Sequence, residues 1–162
     1  VSQERILGLL RHAEAESNVD DLLRPLTQNG IRNLEHLAQK VSNDFPAFDA
    51  IITSPALRAY HSALILFAKQ EKKPQSFQIA FSLYNAGLLE YLHCIWNQPD
   101  HFKSLLIVGH NPVISETASY LCFEAPFSMA PGQMLLYSVP FSSWNQVTRN
   151  SLVLMANLTS QN

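Results

Sequence analysis

Two histidines carry the chemistry open to this chain of 162 residues. His12 follows Arg11 directly at the end of the apolar run 6–10, and His110 lies in Gly109-His110-Asn111-Pro112, just after the apolar run 104–108. A neutral imidazole is a competent nucleophile towards phosphorus near neutral pH. A guanidinium beside it binds phosphoryl oxygens and opposes protonation of the ring. The combination suits phosphoryl transfer through a phosphorylated histidine.

Such residues need a rim to sit on. Both apolar runs are short and continuous, as in strands buried on both faces of a parallel sheet. Ligands of open α/β sheets bind beyond the carboxyl ends of the strands, so both histidines are expected at one edge of the same crevice. Further strands are predicted at 50–53, 77–80, 134–139 and 152–157, with helices at 27–41, 56–70, 88–96 and 113–121. The alternation predicts a three-layer, doubly wound α/β fold, with a mostly parallel sheet, helices on both faces and an antiparallel edge made by the last two strands. In that edge pair Leu152, Leu154 and Ala156 are expected on one face, against Leu135, Tyr137 and Val139. Thr27 reads as the N-cap of a helix with the stripe Ile31, Leu34, Leu37, Ala38 and Val41. Gly30 in its first turn is tolerable where close packing excludes a side chain. Ser54-Pro55 stops the strand at 50–53, and Arg58, about one turn into the following helix, can reach back to the rim.

Four blocks then fall in a familiar order: 10–16 around Arg11-His12-Ala13, Arg24-Pro25-Leu26-Thr27 with Gly30, 53–59 ending in Arg58-Ala59, and 108–112 around Gly109-His110. In these the chain resembles the histidine phosphatase superfamily, the phosphoglycerate-mutase-like phosphatases, and most of all the short bacterial phosphohistidine phosphatases. The resemblance implies that His12 is phosphorylated, that Arg11, Arg58 and His110 surround the phosphoryl group, that Arg24 is an outer substrate contact, and that neither metal nor cofactor takes part. Asn18, in the loop after His12, is a further candidate substrate contact. The family's Arg-His-Gly motif has Ala13 in its third position here, as is usual among the short members. Two other departures are Tyr60-His61-Ser62, where an Arg-Gln-Thr-like run is more typical, and the turn at 130–133, which lacks a hydroxyl-bearing residue before its glycine. Larger members supply a carboxylic acid to the leaving oxygen. The matching stretch 82–87 offers only an amide and a phenol, with Glu14, Glu16, Tyr84 and Glu90 as unplaced candidates, so strong acid catalysis is expected to be missing.

Composition agrees with one histidine phosphatase domain over 1–162: 47% of the residues are hydrophobic, enough for a sizeable core. A formal charge of −2 offers no basic surface for nucleic acid. No segment has the length and apolarity of a membrane span, and no secretory leader is recognisable. Cys94 and Cys122 belong to no metal-ligand cluster and read as reduced thiols, so a cytoplasmic monomer is expected. Its expected partner is a phosphorylated protein carrying phosphohistidine, because little insertion between the blocks is available to cap a small molecule. A small phosphorylated metabolite comes next, and a non-catalytic phosphoprotein-binding module third.

Overall fold

The computed structural model describes residues 4–17 and 19–161. Asn18 lies outside the described residues. Six strands, β1 (Arg5–Arg11), β2 (Ala50–Thr53), β3 (Ser76–Ile79), β4 (Ser104–Gly109), β5 (Met134–Val139) and β6 (Val153–Leu158), form one sheet in the order β3-β2-β4-β1-β5-β6. The first four in that order run parallel, whereas β5 is antiparallel to β1 and β6 to β5. Helices α1 (Gln28–Asp44), α2 (Leu57–Lys69), α3 (Leu88–Trp96) and α4 (Val113–Leu121) cover the two faces of the sheet, which gives the expected three-layer α/β fold with an antiparallel edge.

Alternation along the central strands divides the core into two. Leu7 and Leu9 of β1, with Leu105 and Ile107 of β4, pack against Tyr91, Leu92 and Ile95 of α3 and Ile114 and Ala118 of α4. Leu10, Leu106 and Val108 point to the other face, where Leu34, Leu37 and Val41 of α1 and Ala59, Ala63 and Leu66 of α2 cover them. Burying both faces is what makes β1 and β4 read as unbroken apolar runs.

Local signals act as expected in α1. Thr27 Oγ1 accepts a hydrogen bond from the Gly30 amide at 2.9 Å, which caps the helix. A Cβ on Gly30 would collide with the carbonyl oxygen of Glu14, so close approach of the loop after β1 excludes a side chain there.

The antiparallel edge departs from simple alternation. Leu136 pairs with Ala156 but Tyr137 pairs with Leu154, so Met155 is the extra residue of a β-bulge in β6. One inserted residue sends the strand's side chains to the opposite face. Leu152 and Leu154 therefore join the α3/α4 core, while Ala156 packs with the α1/α2 core, instead of all three sharing one face.

Candidate active site

Residues in register on β1 and β4 bring the two histidines together. Arg11 is paired with Gly109, and the His12 amide donates to the Gly109 carbonyl at 3.1 Å, so both chains leave the sheet side by side. The imidazole centroids of His12 and His110 are 5.2 Å apart. Gly109 is required by a close approach, because a Cβ there would collide with the Tyr91 hydroxyl. That hydroxyl accepts from the His110 amide at 3.0 Å and fixes the start of the second loop.

The tautomer of His12 follows from its partner. His12 Nδ1 lies 2.7 Å from the carbonyl oxygen of Ala13, which can only accept, so Nδ1 carries the proton and Nε2 keeps the lone pair. Arg58 Nε donates towards that Nε2 at 3.3 Å. Ser62 ties the same two elements together: its Oγ accepts from the Ala13 amide at 3.1 Å and donates to the Arg58 carbonyl at 2.7 Å. The expected placement of Arg58 needs one correction. It is the second residue of α2, not a turn inside it, because the helix begins at Leu57 with Ala56 as cap. Ser62 shares its buried helix face.

Arg11 enters from the other side. Its Nη1 donates to the Met129 carbonyl at 2.8 Å, an oxygen that also accepts from Asn111 Nδ2 at 3.0 Å. The Gly132 amide donates to both the Arg11 and His12 carbonyls, at 3.1 and 3.0 Å, so backbone contacts anchor the 129–132 turn. His110 Nε2 is 2.7 Å from Ser54 Oγ. Among the described residues, Arg11 Nε and His110 Nδ1 are buried without a hydrogen-bond partner.

Asp21 escaped the sequence reading. It opens a single 3₁₀ turn, Asp21–Leu23, whose three polar and apolar residues carry no periodic signal. Its backbone carbonyl accepts from Arg58 Nη1 at 2.6 Å, and its Oδ2 accepts from Tyr84 OH at 2.7 Å and from Arg58 Nη2 at 3.3 Å. Arg24 sits outside this contact, with Nη1 3.3 Å from Asp21 Oδ1 and Nε donating to the Glu16 carbonyl at 2.6 Å. Asp21, Arg58, Tyr84, Asn85 and His110 line a cleft of about 190 Å³. Glu14 and Glu90 are occupied elsewhere, Glu14 accepting from Thr27 Oγ1 and Glu90 from the Gly87 amide at the start of α3.

Electrostatics keep both rings neutral. Burial pushes the His12 pKa down to about 4, and the charges of Arg58, Arg11 and Arg24 add to the effect. Burial, then the neighbouring His12 and Arg58, push His110 down to about 3. Desolvation thus outweighs the arginine beside His12, the cause that sequence alone suggested. The hydrogen bond from Tyr84, with the charge of Arg58, holds the Asp21 carboxyl below its ordinary range.

A stability consequence follows. Between pH 6.5 and about 4 the unfolded chain takes up protons at His12 and His110 that the folded chain refuses, so stability is lost as pH falls through this window. Urea denaturation of wild type and His12→Ala at pH 6.5 and pH 5 isolates one of the two. The variant is expected to lose about 1.5 kcal/mol less than wild type over that interval, and identical losses would contradict the neutral, buried ring.

Among the described residues no three His, Cys, Asp or Glu side chains are grouped to hold a metal ion, and no helix is long and apolar enough to cross a membrane. Cys94, half-buried, and Cys122, buried, are both free thiols.

Two loops from parallel neighbouring strands thus bring two neutral histidines, Arg11 and Arg58 to one rim of the sheet. Residues 7–93 match the model of the histidine phosphatase superfamily (branch 1), and the chain belongs to that superfamily. An uncharacterized protein of Picosynechococcus sp. is 34% identical over 122 residues, covering 72% of this chain and 73% of that protein. A Nakamurella multipartitia protein assigned to the phosphohistidine phosphatases as SixA superposes with a TM-score of 0.83 at 26% identity, over 97% of this chain and 96% of its own. The protein histidine phosphatase SixA in complex with tungstate shares the fold, with a TM-score of 0.78 at 18% identity over 96% of this chain and 97% of its own.

Proposed function

We propose that this protein hydrolyses phosphohistidine on a protein partner through a phosphorylated His12. The observation that carries this is the His12 ring itself: neutral, with Nδ1–H committed to the Ala13 carbonyl and the Nε2 lone pair directed at the guanidinium of Arg58. In the first step Nε2 attacks phosphorus in line, a P–N bond forms, and the bond to the leaving group breaks with its electron pair going to that group. Arg11, Arg58 and His110 meet the charge on the equatorial oxygens. In the second step water attacks phosphorus, the P–N bond to His12 breaks, the lone pair returns to Nε2, and the water proton passes to solvent. The scheme uses no metal ion or cofactor. The Arg58 guanidinium beside His12 Nε2 supports it, since a charged, planar donor at the attacking atom would meet the oxygens of the transferred group. A phosphoryl dianion would also favour the charged form of His110. Arg24 serves as an outer contact.

The choice of leaving group rests on Asp21, the carboxylate that lines the cleft. Held ionised by Tyr84 and Arg58, it is a poor proton donor, so chemistry that needs no strong acid is favoured. Only residues 80–87, with one 3₁₀ turn at Phe81–Leu83, join β3 to α3 beside the cleft, so nothing in this stretch caps it. That suits a substrate presented by another protein. The test is phosphate release from chemically phosphorylated histidine, and binding without release would mark a non-catalytic module instead.

The arginine fork has its own test. Arg58→Lys keeps the charge but loses the planar donors that hold two oxygens at once, so kcat/KM is expected to fall about 10- to 100-fold. Wild-type kinetics in that variant would remove Arg58 from the phosphoryl site.

A further inference from the structure

An apolar groove is built on the same elements as the proposed phosphoryl site, from residues next to those that line it. Leu22 and Leu23 follow Asp21 in the 3₁₀ turn, Leu57 precedes Arg58 at the start of α2, and Ile79 and Phe81 lie at the end of β3 and in the turn leading to Tyr84. Pro55 and Tyr60 complete the lining, which contains no charged side chain. Eleven large hydrophobic side chains are exposed among the described residues, and five of them are gathered here. Phe81 is 77% and Leu23 65% exposed. The largest apolar patch on a protein surface is often a site of contact, and here the apolar side chains cluster next to a group of arginines.

The occupant is set by what adjoins the groove. Asp21 directly precedes Leu22 and Arg58 directly follows Leu57, and the two are bonded to each other with Arg24 paired to the same aspartate, so a ligand spanning both regions must be anionic at one end and apolar at the other. A phosphorylated sugar or glycerate is polar throughout and gains nothing from burying these side chains. A protein whose phosphohistidine is flanked by aliphatic side chains on the same face satisfies both ends at once. We infer that the groove formed by Leu22, Leu23, Leu57, Ile79 and Phe81 docks aliphatic residues that flank the phosphohistidine of a protein substrate, an inference that rests on the function proposed above. Leu23 and Phe81 then set specificity through binding and take no part in bond making.

Two helical peptides test this, each with a central histidine phosphorylated by phosphoramidate. One carries leucines four residues before and three and four residues after the phosphohistidine, on its own helix face, and the other carries glutamines there. Wild-type protein is expected to cleave the leucine peptide with a KM about tenfold below that of the glutamine peptide, a gap typical of burying one or two aliphatic side chains. In Leu23→Ser/Phe81→Ser that gap should close, while kcat/KM for free phosphohistidine stays at the wild-type value. Both replaced side chains are exposed, so folding should be retained. Equal KM values for the two peptides in wild type, or a gap that survives in the double variant, would overturn the docking inference alone. Failure to cleave either peptide or free phosphohistidine would overturn the phosphohistidine reading and the docking inference with it.

Discussion

His12→Ala is expected to lose at least about 10⁴-fold in kcat on any substrate the wild type turns over, the scale on which enzymes lose rate when a covalent nucleophile is removed. The loss should be unusually clean. Truncating the side chain leaves the Gly109 and Gly132 backbone contacts of the loop untouched, and the ring's one strong hydrogen bond is to the neighbouring Ala13 carbonyl. The variant should therefore fold and still bind phosphate through Arg11 and Arg58. It should form no acid-labile, alkali-stable phosphoenzyme. Full activity in His12→Ala would sink covalent catalysis at this residue, whatever the family resemblance.

The second large effect concerns leaving groups. Expelling an alkoxide from a phosphomonoester needs a proton, and a positioned general acid is worth about 10²- to 10⁴-fold. Asp21 is ionised in the cleft, Glu14 and Glu90 are bound at helix starts, and the Tyr84 phenol is pushed to higher pKa by its hydrogen bond to Asp21. An aryl phosphate departs without that help, and the imidazole of phosphohistidine can be protonated by solvent beforehand. Compared by kcat/KM at one pH, phosphohistidine and aryl phosphates are expected to exceed sugar or glycerate phosphates by about 100-fold or more. Equal rates for an alkyl phosphate would reveal an effective acid, make Asp21 and Tyr84 the residues to replace next, and move a small-molecule phosphatase ahead of the protein one.

Much of this is legible in the sequence because the informative residues stand at element ends. The apolar runs before His12 and His110 mark central parallel strands, and neighbouring parallel strands must deliver their following loops to the same rim. Thr27 and Gly30 are readable for the same local reason, a cap and a forced close approach. What escapes the sequence depends on contacts between distant segments. Asp21 sits in a three-residue turn with no periodicity, and only the fold brings it to Arg58 and Tyr84. Ser62 looks like a minor departure from the family pattern, yet it bonds both Ala13 and Arg58. Tyr91 lies in an amphipathic helix and shows its purpose only where Gly109 makes room for its hydroxyl. The bulge at Met155 is invisible because a one-residue insertion leaves the alternating pattern intact on either side.

The most direct measurement is the position of the phosphoryl group in a trapped phosphoenzyme. Wild-type protein mixed with a fast aryl phosphate, quenched at alkaline pH and digested, can be read by ³¹P NMR and fragmentation mass spectrometry. The proton held between Nδ1 and the Ala13 carbonyl leaves Nε2 as the nucleophilic atom, so the phosphoryl group is expected on Nε2 of His12. Phosphate found on Nδ1 of that ring, on His110 or on any other side chain, or steady turnover with no phosphoenzyme at all, would contradict it.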